Sequence, residues 1–433
     1  MTLEVLSNLE RKLNFNIDKA IVTAGVEIKL RKYAKDAKIQ GFRPGKAPKN
    51  VVEQMYGARA YEDSLNDQLN KQFVDLLVEH KLNIVGYPKF DLTSSEGEEF
   101  IFAATFEVMP EVKLGDLSTV EVEKPLCSLT DANVQATIDV LRKQRATHEV
   151  SDSAAATDDK VTIDFLGTVD GVEFDGGKAE DYSFVLGQGM MLVDFETGIL
   201  GLKSGESKDV TVAFPADYHA ENLKGKSAVF KITVKEVAKQ VLPALDAEFI
   251  QSVGVELGTE EALRNEIKDN LQKEINRRLK LKARDNALKA LSDSSPLDVP
   301  SAMVHDEIHH MMKTAEENMK KQGYKPEQIK LTHEMFEKDA RNMVVLRMLV
   351  QEFIKENDTH TTDDEVKQTV QALADMYEDP IDYVAWYYQD EQRVNNAKAI
   401  TMEQKVTDTI YAKAKAKEVE LSYEDIMKMP VQY

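Results

Sequence analysis

Between Lys160 and Ala238 the chain changes period. Helical spacing gives way to four runs, VTIDFLGTVDG, DYSFVLG, KDVTVAF and AVFKITVKEV, which are rich in Val, Thr, Phe and Ile and broken by Gly, Asp and Asn. β-Branched and aromatic residues suit a pleated surface, and Gly, Asp and Asn supply turn conformations, so the segment predicts a small antiparallel sheet domain. Such a domain uses only part of the 433 residues, and at roughly 150 residues per domain the length fits about three.

The flanks read differently. Residues 2–14 alternate as a strand, and Ile21, Ala24, Ile28, Leu30 and Tyr33 mark a helix over 17–38 that breaks at Gly41. A second helical region runs from about Asn50 to Lys81, and alternating stretches 84–93 and 99–109 flank the turn SSEGEE, predicting an α+β domain over 1–112. Residues 113–150, with the strand VEVEKP and a helix from Asp131 to Arg145 capped by Thr130, read as a connecting arm. The sheet domain takes 151–240. Beyond Pro243 the pattern is helical, with Leu263, Ile267, Leu271, Ile275 and Leu279 four apart and a capping box at Thr362 and Glu365. The fold class is thus α+β multidomain, with an all-α C-terminal domain over 241–433.

Composition excludes several functions. Lys and Arg number 55 against 76 Asp and Glu, a net charge of −21 that disfavours a general nucleic-acid or membrane coat, so neither DNA nor a membrane is an expected partner. The first twenty residues hold no apolar run fit for a signal peptide or span, which predicts a cytoplasmic protein. Cys127 is the only cysteine, which rules out an internal disulfide, a CxxC pair and a thiolate zinc cluster. No GxxxxGK[ST] loop is present, so no nucleotide and no other cofactor is expected. His305 and His309 stand four apart on a helix and could chelate an ion, but the acid is misplaced for HExxH; the segment reads as a solvated face and no metal site is expected. Eleven of the 16 methionines lie from Met303 onward, either as an adaptable apolar surface or as gap fillers between helices.

One stretch opposes the acidic balance. From 29 to 49 the chain carries Lys29, Arg31, Lys32, Lys35, Lys38, Arg43, Lys46 and Lys49 against Asp36 alone, a local charge of +7. Its centre is the tip Gly41-Phe42-Arg43-Pro44-Gly45-Lys46-Ala47-Pro48, where glycines permit tight turning and prolines stiffen the loop. Arg43 could bridge phosphate oxygens bidentately and Lys46 act as a point charge; the bland alternative is a solvated loop. The tip resembles the ribosome-docking loop of the trigger factor family, bacterial chaperones of the peptide-tunnel exit. The resemblance implies docking through Gly41, Phe42, Arg43, Pro44, Gly45, Lys46 and Pro48, with ribosomal protein and rRNA as partners.

The segments VTIDFLGTVDGVEFDGG, DYSFVLGQGMMLVDFETGILG and AVFKITVKEV resemble, in order, the FK506-binding-protein class of peptidyl-prolyl isomerases. Rotation about an X–Pro bond breaks amide resonance against a barrier of roughly 18–20 kcal/mol, and needs no covalent chemistry. A dry aromatic pocket that binds the twisted imide better than the planar one suffices. The resemblance places Phe195 on the pocket floor and Phe165, Phe174, Asp175, Tyr182, Phe184, Leu192 and Phe230 around it. Asp175 either faces the reacting amide or is a turn acid before Gly176-Gly177. Where that class usually has Ile-Pro-Gly, this chain has Leu192-Val193-Asp194, and the loop after Phe214-Pro215 is short, which implies weak activity or altered access.

Basic tip, isomerase-like sheet domain and helical C-terminal region follow one another as in the trigger factor family. That resemblance implies an elongated, ATP-independent chaperone that holds nascent and unfolded polypeptides at the tunnel exit, isomerises prolyl bonds, and forms a homodimer when free. The alternative is a cytosolic prolyl isomerase acting on released folding intermediates.

Overall fold

The computed structural model describes residues 2–36, 42, 46–218, 220, 223–375, 377 and 379–430. The chain divides into two compact units, residues 1–125 with 280–419 and residues 126–279 with 420–433. The first unit opens with β1 (Thr2–Val5), β2 (Glu10–Asp18), α1 (Lys19–Asp36), α2 (Lys49–Glu79), β3 (Ile84–Ser94) and β4 (Glu99–Val108). The strands form an antiparallel sheet in the order β1-β2-β4-β3. The single strand expected over 2–14 is a hairpin instead. Ser7 Oγ accepts the N–H groups of Leu9 and Glu10 at 3.3 and 3.0 Å and closes the turn, a local competition that alternation does not reveal. Leu13, Phe15 and Ile17 of β2 and Phe102 and Phe106 of β4 bury against Leu69, Phe73 and Leu76 of α2.

Helices α1 and α2 pair as a hairpin. Its inward stripe on α1 is Val22 and Leu30, buried, with Val26 and Tyr33 half-buried, while Ile21 and Ile28 face solvent, because α2 covers only one side. The helices approach closely at Gly25, where a Cβ would lie 2.1 Å from Ser64 Oγ; that hydroxyl is buried and donates to Val22 O at 2.8 Å. After β4, Val112, Leu114, Leu117 and Val120 pack against Ala287, Leu291, Leu349 and Phe353, and β5 (Glu121–Leu126) follows.

The second unit contains α3 (Asp131–Gln144), β6 (Thr147–Val150), β7 (Lys160–Val169), β8 (Val172–Val185), α4 (Val193–Ile199), β9 (Ser207–Ala213), β10 (Ser227–Val241), α5 (Ala247–Ser252) and the first part of α6 (Glu260–Ser294). Thr130 and Asn133 form the capping box of α3, and Val134 and Ile138 pack with Phe249, Ile250, Leu263 and Ile267. The five strands form one antiparallel sheet, β6-β10-β7-β8, with β9 also on β10. EFDGG lies within β8, and β7 turns into β8 through Asp170-Gly171, both at positive φ (52° and 81°), as a two-residue hairpin requires.

The first unit continues with α7 (Ser301–Lys321), α8 (His333–Glu356), α9 (Asp363–Ala374), α10 (Pro380–Tyr387), α11 (Glu391–Lys413) and β11 (Lys415–Glu420), which pairs with β5. The expected box is present at α9: Thr362 N–H donates to Glu365 Oε2 at 2.8 Å and Glu365 N–H to Thr362 Oγ1 at 3.3 Å. Lys405 Nζ reaches Glu365 Oε1 at 2.8 Å. Of the late methionines, Met348 is buried and Met303, Met311 and Met312 pack beside it as gap fillers, whereas Met335 and Met343 are exposed. Among the described residues no helix is long and apolar enough to cross a membrane.

Candidate functional sites

The alternation of β7 sends Val161, Ile163 and Phe165 inward, and that of β10 does the same for Phe230, Ile232 and Val234. Phe165, Phe230 and Phe195 of α4 meet edge to face, with ring centroids 5.4 Å apart for 165–195, 6.0 Å for 165–230 and 5.2 Å for 195–230. Edge-to-face contact sets the positive rim of one ring against the negative face of the next, which fixes their orientation. Phe230 pairs with Gly167 across the ladder, and a Cβ there would lie 2.5 Å from the ring. Glycine in DFLG is therefore what lets Phe230 lie across β7.

Around this trio, Tyr182 meets Phe165 edge-on at 6.0 Å and Phe174 meets Phe230 at 5.9 Å. Leu192, half-buried, precedes α4 as its N-cap and packs on the same core. The fold thus brings Phe165, Phe174, Tyr182, Leu192, Phe195 and Phe230 together. Phe184 is buried beside Tyr182 at 5.8 Å, and Asp175 is exposed next to Gly176, whose φ is 79°. Such a lining has no acid–base pair to offer. It can favour a twisted, less polar imide over a planar one.

Two features were missed by pattern alone. Phe214 meets Phe174 at 6.2 Å and Tyr218 at 4.7 Å, extending the aromatic row into the loop after β9; the signal is FPADY directly after a strand. Glu196, buried, accepts N–H bonds from Gly187 at 2.7 Å and Met191 at 3.0 Å. It ties the loop before α4 to the helix and so positions Leu192 and Phe195; its sequence signal is only an acid in a first turn.

The second candidate is the end of the α1–α2 hairpin. Phe42 is 41% exposed, Lys46 is exposed, and Pro48 precedes α2 as its N-cap. Gly41, Arg43, Pro44 and Gly45 lie outside the described residues. The +7 of the basic window is partly offset by acids that lie beyond it. Lys29 pairs with Asp67 of α2 at 2.5 Å, and Glu27 lies 3.1 Å from Lys49 and 3.7 Å from Arg31. The hydrogen bond from Lys49 holds the Glu27 carboxyl below the usual carboxylate range, and that to Asp67 holds the Lys29 ammonium above its own. Among the described residues Lys32, Lys35 and Lys46 have no ion pair, so the free positive charge gathers toward the tip.

Comparison with known proteins agrees with this arrangement. Residues 1–141 match the family described as bacterial trigger factor protein, residues 259–412 its C-terminus, and residues 151–235 FKBP-type peptidyl-prolyl cis-trans isomerase. The trigger factor of Laribacter hongkongensis is 41% identical over 98% of both chains. The chain belongs to the trigger factor family. The trigger factor of Chromobacterium violaceum is 39% identical, again over 98% of each chain. A solved structure described as the trigger factor chaperone in promiscuous substrate recognition aligns over 95% of this chain and 99% of its own at 19% identity, with a TM-score of 0.43. The chain is a chaperone of that family that carries an FKBP-type peptidyl-prolyl cis-trans isomerase domain.

Proposed function

We propose that the chain works in the cytoplasm as an ATP-independent chaperone docked at the ribosomal tunnel exit, contacting ribosomal protein and rRNA with Phe42, Arg43 and Lys46. Gly41, Pro44, Gly45 and Pro48 shape that loop. Residues 1–112 form the docking domain, 113–150 the arm, 151–240 the isomerase, and 241–433 the body that holds nascent and unfolded polypeptides; off the ribosome the chain forms a homodimer. X–Pro bonds rotate over the floor ring Phe195, flanked by Phe165 and Phe230, with Phe174, Tyr182 and Leu192 as walls, Phe184 behind Tyr182 and Asp175 at the rim.

The observation that carries the docking assignment is an exposed phenyl ring and an exposed Lys46, without an ion pair among the described residues, at the end of a helical hairpin whose basic charge is only partly offset by Asp67 and Glu27. Phosphate attraction is screened by salt, so the test is ribosome co-sedimentation at low and moderate salt. The intact chain should pellet, and the triple change Phe42→Ala, Arg43→Ala, Lys46→Ala should leave it in the supernatant. If neither form pellets, the tip is a solvated loop and isomerisation of released intermediates becomes the better reading.

A further inference from the structure

His305 and His309 share one face of α7 by their four-residue spacing. What spacing could not reveal is a third imidazole. The α7–α8 hairpin packs through Val304, Ile308, Ala340 and Val344, and Arg347 of α8 reaches Glu307 of α7 at 2.5 Å. This brings the first residue of α8, His333, alongside the pair. The Nε2 atoms of His305 and His309 are 3.0 Å apart, the ring of His333 lies 5.4 and 5.1 Å from theirs, and ligand nitrogens of all three fall within 4.8 Å of one another.

We propose that His305, His309 and His333 bind one divalent transition-metal ion of the zinc class. Nitrogen ligands about 2.0–2.1 Å from a tetrahedral ion stand about 3.3 Å from each other, so the α7 pair is already near ligand spacing and His333, within 4.8 Å of both, has at most about 1.5 Å to close. All three rings are exposed, so an ion reaches them from solvent and its fourth position is open to water. Three imidazoles with no carboxylate in the set suit Zn²⁺, Ni²⁺ or Cu²⁺, and not Mg²⁺ or Ca²⁺. The bound ion ties the start of α8 to α7 across the connecting loop, and because it binds the folded hairpin it stabilises it.

The test is titration of the full-length chain at pH 7.5 with Zn²⁺ alone against a chromophoric chelator, with Co²⁺ absorption reporting coordination number. One ion per chain is expected, with a four-coordinate Co²⁺ spectrum. Affinity should fall about tenfold or more in His333→Asn and be lost in His305→Asn/His309→Asn. His360→Asn, remote in sequence, should bind like the parent. Zn²⁺ should raise the thermal midpoint of the parent but not of the double variant; exposed histidines are expected to leave the fold intact, which circular dichroism checks. The proposal fails if the parent binds no Zn²⁺ up to about 100 µM, if His333→Asn binds unchanged, or if the double variant His305→Asn/His309→Asn still binds one ion.

Discussion

On the function proposed above, the isomerase pocket and the α1–α2 tip work in opposite ways. The rings assigned to the pocket are also the core of their sheet: Phe165, Phe195 and Phe230 are 8%, 2% and 6% exposed and touch one another. The tip presents groups that the fold does not need, Phe42 and Lys46, on a stem held elsewhere by Val22, Leu30, Val52 and Ala60. In the first region binding chemistry and stability cannot be separated. In the second they can, and experiments that try to separate them test the contrast.

The strongest such experiment is Phe195→Ala. Removing a fully buried ring costs about 3–5 kcal/mol, and prolyl isomerisation should disappear with it. Denaturant unfolding beside a proline-limited refolding assay would read both, and retained activity in a destabilised protein would break the link. Gly25→Ala tests the stem. Its Cβ would press on Ser64 Oγ and disturb the bond to Val22, so overpacking of about 1–3 kcal/mol is expected, with isomerase activity unchanged.

Thr362→Ala should cost about 1 kcal/mol by removing the cap of α9. The same box gives a pH signature. The hydrogen bond from Lys405, then those from Thr362, bring the Glu365 carboxyl from 4.5 to about 2. A carboxylate with a depressed folded value stabilises above its unfolded pKa, and that contribution fades as pH falls from 4.5 toward 2. The thermal midpoint of Glu365→Gln should therefore lie below the parent's at pH 7 and converge on it only at about pH 2; equal midpoints at pH 7 would remove Glu365 from the account. Smallest in stability is the triple tip variant, within about 0.5 kcal/mol of the parent by denaturant unfolding. Its loss of ribosome binding should nonetheless be complete.

Much of this was legible in order along the chain. Runs rich in β-branched and aromatic residues predicted the strands β7, β9 and β10, and the box at Thr362 and Glu365 predicted the start of α9. The first hairpin was not legible, because a serine side chain in competition with the ladder turns the strand at Ser7. Nor was the partial neutralisation of the basic window, since Asp67 lies on the facing helix and Glu27 two residues outside it.

Sequence by itself determined most of the element types and the family, because period, capping and motif depend on neighbours a few residues apart. Only the tertiary structure decided which groups meet across long separations: Gly25 with Ser64, Phe214 with Phe174, Lys29 with Asp67, and His333 with the α7 pair. Those meetings follow from how whole faces of helices and strands pack, and no local spacing encodes them.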